Sequence, residues 1–82
     1  MNPLSDLGLD AIQRRCDATT PGPWSSFVEG RDHTSGDSFI QTGGEDFYLT
    51  GGTIADQDFI AAARQDIPKL IEEIRLLRKM SK

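Results

Sequence analysis

The last third of the chain, residues 59–80, most constrains what this sequence can fold into. Its apolar residues recur at helical spacing. Pro68 interrupts the stretch, because proline lacks the amide donor that a helix interior needs. The pattern therefore predicts two amphipathic helical segments with a kink or break near Asp66 and Pro68. Thr53 followed three residues later by Asp56 imitates a capping box and predicts where the first segment begins.

The final segment, residues 67–80, carries a narrow apolar seam. Spacings that alternate between three and four residues are typical of a helix face that packs against another helix. The seam covers only two heptads, which is too short for a sustained coiled coil. We expect it to be covered by the chain's own strands or by a second copy. The seam residues are Ile67, Leu70, Ile71, Ile74 and Leu77.

The beginning of the chain predicts a short helix over residues 5–17. Leu9, Ile12 and Cys16 recur on one face of that helix. Two prolines that flank a glycine then end it, because proline cannot continue the hydrogen-bond ladder. Trp24 follows this rigid turn directly, and we expect it to anchor the core, since an indole buries a large apolar area.

The middle of the chain predicts a small antiparallel sheet of about three strands. Three short runs rich in aromatic and aliphatic residues, 24–29, 38–42 and 46–50, are separated by polar, glycine-bearing links. Together the segments predict one α+β domain over residues 1–82. The expected core residues are Leu9, Ile12, Cys16, Trp24, Phe27, Ile40, Phe47, Leu49, Ile60, Ala63, Ile67, Leu70, Ile74 and Leu77.

Size and cysteine content limit how such a domain can be stabilised. A chain of 82 residues removes only about 60–65% of its surface from water on folding. Cys16 is the only cysteine, so no intrachain disulfide can form, and a lone thiol suits a reducing compartment. No run approaches the length of a membrane span, and the first residues do not resemble a secretion signal. We therefore expect a soluble, cytoplasmic protein.

Charge is distributed unevenly along the chain. Residues 1–66 contain eleven acidic and four basic residues, whereas residues 67–82 contain five basic and two acidic ones. The acidic body would repel nucleic acid and attract a basic protein surface. The basic end has a simpler explanation, since cations offset the negative end of a helix dipole. The candidate partner-binding acids are Asp32, Asp37, Glu45, Asp46, Asp56 and Asp58.

Catalytic and metal-binding chemistry is not predicted. His33 is the only histidine, and the single cysteine lies in a different kind of segment, so a metal site lacks its usual ligands. No nucleophile elbow is present, and Gly51-Gly52-Thr53 lacks the lysine of a phosphate-binding loop. We predict no catalytic residue, no metal, no cofactor and no small-molecule substrate. A cavity lined by His33, Glu45 and a hydroxyl would be needed to favour an enzyme.

Two segments resemble parts of small, largely uncharacterised proteins encoded in phages and prophages. The first is similar to their A-A/T-T-P-G-P-W segment, and here it runs Cys16-Asp17-Ala18-Thr19-Thr20-Pro21-Gly22-Pro23-Trp24. The second, which begins at Phe59, is similar to their F-I-A-x-A-R-x-D-V-P-x-L-L-x-E-V ending. The likeness spans roughly residues 9–24 and 54–78. It implies a mobile-element setting and a small α+β fold.

The resemblance also implies two structural roles. It implies that Pro21 to Trp24 fix the passage from helix to sheet, and that Arg64, Asp66 and Pro68 fix a joint between the last helices.

Two functional hypotheses follow. The first is a small, acidic, non-catalytic binding protein that masks or inhibits a basic protein partner, as immunity and anti-defence proteins do. The alternative is a homodimeric accessory module assembled through the C-terminal helix, without an inhibitory role. Neither involves nucleic acid or a membrane.

Overall fold

The computed structural model describes residues 4–34 and 36–81 and has an α+β fold. A helix, α1 (Asp6–Asp17), is followed by two short strands, β1 (Ser25–Phe27) and β2 (Phe39–Gln41), and by a long helix, α2 (Ile54–Met80). The sheet and α1 both pack against α2. The predicted α+β class is confirmed, and the expected N-terminal helix is present.

The start of α1 is set by a polar cap. The Ser5 hydroxyl accepts a hydrogen bond from the Gly8 amide at 3.0 Å, and this satisfies one of the free donors of the first turn. Leu9 is the buried residue of the helix. α1 therefore has one covered face and leaves Leu7 in solvent.

The sheet is smaller than the sequence predicts. β1 and β2 pair in antiparallel register, with Ser26 opposite Ile40. The third expected strand, residues 46–50, is reduced to one bridge between Ile40 and Phe47, which exchange hydrogen bonds of 2.8 and 2.9 Å. In an antiparallel pair the next such exchange would lie two residues away, beyond the end of β2. The expectation of about three strands is thus met only in part.

The C-terminal region forms one continuous helix, so the predicted division into two segments near Asp66 and Pro68 is wrong, while a kink within that helix stays a prediction. Thr53 and Asp56 form the expected capping box at its start. Pro68 lies inside the helix and takes one donor out of the ladder, at a cost of about 3 kcal/mol. Buried side chains lie on both sides of the proline, Ala61 before it and Ile71 after it. Packing on both sides offsets the local cost.

The core differs from the expected one in its composition. The buried hydrophobic residues are Leu9, Val28, Ile40, Ala61 and Ile71. Only the first and third of these were expected, and Trp24, Phe27 and Phe47 are half-buried. The expectation was wrong for Ile60, Ile67, Leu70 and Leu77, which are exposed. The reason is rotational, because the sheet and α1 cover a neighbouring face of α2.

A close contact joins the exit of α1 to the turn after β2. The Gly43 amide donates to the Pro21 carbonyl at 2.7 Å. A Cβ atom at position 43 would lie 2.7 Å from that same oxygen, so only glycine is accommodated without movement. Trp24 donates from Nε1 to the Thr20 carbonyl, and its ring packs edge-on against Phe47 at 5.1 Å. The turn from Pro21 to Trp24, which was expected to fix the passage from helix to sheet, is therefore held at its start by Gly43 and at its end by Thr20 and Phe47.

Candidate protein-binding surface

The covered face of α2 holds the sheet through a buried amide. Gln57 is only 5% exposed. Its Nε2 donates to the Ser26 hydroxyl at 2.9 Å and to the carbonyls of Phe27 and Phe39 at 3.3 and 3.1 Å. One side chain therefore contacts both strands and ties the sheet to α2.

A second glutamine repeats this arrangement two turns later. Gln65 accepts from the Trp24 amide at 2.6 Å and donates to the Trp24 carbonyl at 3.1 Å. It binds this backbone in the way that a neighbouring strand would. Sequence reasoning missed both glutamines, although Gln57, Ala61 and Gln65 recur every four residues and mark one helix face.

A neighbouring side of α2, beside α1, carries a line of exposed and half-buried apolar residues. We name this set the α2 seam and define it as Ile60, Ala63, Ile67, Leu70, Ile74 and Leu77. Leu70 is 60% exposed and Leu77 is 53% exposed, and Phe59 beside the seam is 73% exposed. Of the predicted seam residues, the structure places Ile67, Leu70, Ile74 and Leu77 along this side. Ile71 belongs instead to the core, at 3% exposure.

The N-terminal half of the α2 seam continues into an apolar groove between the two helices. The groove has a volume of about 330 Å³. Arg15 and Arg64 also line it, and the buried Nε atom of Arg64 makes no hydrogen bond within the described part of the chain. The apolar lining residues are Ile12, Cys16, Trp24, Ile60, Ala63 and Ile67.

Two of the six candidate acids bind an arginine of the same chain. Arg31 makes a two-pronged contact with Asp58, at 2.8 and 3.0 Å, and a further contact of 2.9 Å with Asp32. The Arg31 guanidinium, helped by the Ser26 hydroxyl, lowers the pKa of Asp58 from 3.8 to about 2. Arg31 also lowers the pKa of Asp32, and the Val28 amide adds to that effect. Asp58 thus fastens the loop after β1 to α2 through Arg31, and Asp32 braces the loop itself.

The other four candidate acids are divided between a helix cap and exposed loops. The backbone amide and hydroxyl of Thr53 lower the pKa of Asp56, whose carboxylate closes the capping box. Asp37, Glu45 and Asp46 lie at exposed loop positions. The six acids therefore have different surroundings, and three of them already serve the fold.

The basic end of α2 pairs with acids at the start of α1. Arg75 contacts Asp10 at 2.7 Å and Arg78 contacts Asp6 at 2.8 Å. Arg78 also donates to the Leu4 carbonyl. The cations expected to offset the helix dipole thus also hold the two helices together, although each such exposed ion pair contributes at most about 1 kcal/mol.

The outer face of the sheet bears an aromatic cluster. Phe27 and Phe39 stack across the strands at 5.2 Å between ring centres. The ring of His33 lies 5.5 Å from Phe39, and that of Tyr48 lies 6.2 Å from it. His33 thus packs on an aromatic surface. Within residues 4–34 and 36–81, acidic, histidine and cysteine side chains form no cluster of three that could hold a metal ion.

Comparisons with known proteins do not identify a relative. No protein-family model, no curated protein and no solved structure matches the chain. No helix in the described part of the chain has the length and apolarity that a membrane crossing requires.

Proposed function

We propose that this chain is a non-catalytic protein-binding module whose working surface is the α2 seam. The line of apolar side chains along α2, with Leu70 and Leu77 more than half exposed, is the single observation that carries this proposal. Contiguous apolar surface is uncommon on soluble monomers and marks interaction sites. An amphipathic helix of a partner is the element that three-four spacing receives best.

The setting we propose is that of a phage or prophage accessory protein. The two segments that resemble such proteins support it. The helical joint that this resemblance implied at Arg64, Asp66 and Pro68 falls within the continuous α2, and Arg64 lines the groove there. This part of the resemblance lies next to the binding surface that we propose.

Affinity capture tests the binding role. The full chain would be expressed in its native host with a tag and recovered with its bound proteins, further copies of itself included. We expect Leu70→Glu to release those proteins, because a charge on the α2 seam opposes its burial. Leu7→Glu is the matched control, since Leu7 is a 79% exposed leucine on α1. Identical capture by both variants and the natural chain would refute the proposal.

Masking of a basic protein partner remains a second candidate function. It is favoured by the net charge of −4 and by the three exposed loop acids, Asp37, Glu45 and Asp46. Charges of this kind steer association more than they add affinity. Replacing the three acids by their amides should slow association with such a partner and reduce its dependence on salt. This function would be excluded if the association rate stayed the same after the amide substitutions and at all salt concentrations.

A further inference from the structure

We infer that the α2 seam receives the α2 helix of a second copy of this chain, in antiparallel orientation. The twofold axis passes between Pro68 and Lys69. This inference rests on the proposed function and names the partner that occupies its surface. It is carried by the surface area of the chain, by the order of side chains along the seam, and by the groove beside it.

The isolated chain exposes more surface than a compact protein of its mass. Its accessible area is 6142 Å², whereas a compact chain of 9.0 kDa exposes about 4,900 Å². The radius of gyration is 15.8 Å, against about 12 Å for a compact domain of this length. The excess of over 1,000 Å² exceeds the roughly 800 Å² that each partner buries in a stable complex. A second copy has the same excess of exposed surface, so pairing covers the excess of both chains at once.

The order of residues along the seam is complementary to itself when one copy is reversed. Around an axis between Pro68 and Lys69, Ile67 of one copy faces Leu70 of the other. Moving outward, Ala63 faces Ile74, and then Ile60 faces Leu77. The one small seam residue thus meets a large one, and every seam residue has a partner. In a parallel pair Ala63 would face Ala63, which leaves a gap where packing contacts are lost.

The groove provides space for the side chains that this arrangement delivers. Ile60 and Ala63 belong both to the seam and to the groove wall. The reversed second copy brings its Ile74 and Leu77 to this end. Its Leu77 then lies over the groove, near Cys16 and Trp24. The groove becomes a hole for a knob from the second copy, which is how packed helices interlock.

Charges beside the seam are compatible with this pairing. Asp66, Lys69 and Glu73 line one shallow cavity together with Leu70. In the antiparallel pair, Lys69 of each copy lies at nearly the same height as Asp66 of the other copy, about 3 Å away along the helix axis. Within each chain Lys69 lies three residues after Asp66 and four before Glu73, so its charge limits the repulsion between the two acidic rims.

Sedimentation of the purified chain tests the pairing. We expect a dimer that dissociates on dilution and whose dissociation constant rises on the order of 100-fold in Leu70→Glu, since each copy then buries a charge in place of a leucine. Leu7→Glu should sediment like the natural chain. Circular dichroism would verify that both variants keep their helix content. A natural chain that remains monomeric at every concentration overturns the inference.

Cross-linking tests the orientation. Two variants would be made in a Cys16→Ala background, one with Ala63→Cys and one with Ile74→Cys, and treated with a short bis-maleimide. We expect cross-linked dimers only when the two variants are mixed. In the antiparallel pair, each new thiol lies about 16 Å along the axis from the equivalent thiol of the second copy, which is too far for a short cross-linker. Efficient cross-linking of either variant alone would show a parallel pair and overturn the inference.

The outcomes separate this inference from the proposed function. If the natural chain sediments as a monomer but Leu70→Glu still loses its host partners, the inference of a second copy is refuted and the proposed binding surface is supported. If the chain is a monomer and captures the same proteins with and without Leu70→Glu, both the second copy and the proposed binding surface are refuted.

Discussion

On α2, the face that packs against the rest of the chain carries glutamines, whereas the neighbouring seam face carries exposed leucines and isoleucines. Gln57 and Gln65 are placed inward by hydrogen bonds to the backbone: Gln57 donates to carbonyls of both strands, and Gln65 both donates to and accepts from the backbone of Trp24. Leu70 and Leu77 are left outward, 60% and 53% exposed. The comparison teaches that burial on this helix follows the hydrogen-bonding needs of the neighbouring element as well as hydrophobicity.

The largest expected effect is on unfolding free energy, and it distinguishes two adjacent residues, Ile71 on the packed face and Leu70 on the seam. Ile71→Ala should lower the free energy of unfolding by about 2–4 kcal/mol, because it leaves a cavity in the core. Leu70→Ala should change it by no more than about 0.5 kcal/mol in dilute protein, because Leu70 lies in solvent there. Denaturant unfolding over a range of protein concentrations measures both.

The dependence on concentration sharpens this contrast. The Ile71→Ala effect should be constant, whereas the Leu70→Ala effect should grow as the protein is concentrated and pairs through the α2 seam. Equal effects of the two substitutions in dilute protein would contradict the two-faced description of α2.

The next effect concerns the polar side of the comparison. Gln57→Leu keeps the approximate volume but removes the buried hydrogen bonds from the side-chain amide to the Ser26 hydroxyl and to the Phe27 and Phe39 carbonyls. We expect a loss of about 1–3 kcal/mol in unfolding free energy. Gln41→Leu, at an exposed position of β2, serves as the control and should be close to neutral. If Gln57→Leu were stabilising, hydrophobicity alone would govern this face.

A smaller effect is expected at the start of α2. Thr53→Ala removes the hydroxyl that accepts from the Asp56 amide at 3.0 Å and opens the capping box. The expected cost is about 1 kcal/mol, measured by thermal or denaturant unfolding. Thr53→Ser retains the hydroxyl and should preserve most of the stability. A serine variant as unstable as the alanine variant would show that the cap is not the cause.

The smallest effect depends on pH. Because the pKa of Asp58 is lowered from 3.8 to about 2, its ion pair with Arg31 stabilises the fold above pH 3.8. That contribution should be lost as the pH falls from about 4 to about 2. Arg31→Met should raise the pKa of Asp58 toward 3.8, which carboxyl NMR titration measures. Arg14→Met, at an exposed position of α1, should leave that titration unchanged.

Local signals in the sequence predicted the elements better than the faces that they bury. The spacing of Thr53 and Asp56 predicted the cap of α2, and the apolar repeat around Leu9 predicted α1. These features depend on neighbours within one helical turn. The continuity of α2 through Pro68 could not be predicted in this way, because it depends on packing by elements that are distant in sequence.

Which face of α2 is buried could not be predicted from the sequence for the same physical reason. A three-four repeat fixes which residues share a stripe, but several stripes of α2 are apolar enough to be buried. Ile71 lies inward and Leu70 outward because of where the sheet and α1 attach. The hydrogen bonds of Gln57 and Gln65 help to determine that attachment, and a polar residue carries no hydrophobic signal. The candidate acids were identified by charge alone, so their bonds to Arg31 and Thr53 were not foreseen.

The missing side chain at Gly43 ties together two turns that are far apart in sequence. Any larger residue there would push against the Pro21 carbonyl, and the turn before Trp24 would have to shift with it. The two positions are therefore expected to change together during evolution, so that a relative with a bulkier residue at 43 would also have a rebuilt proline turn. Their covariation offers a means of recognising distant members of this fold.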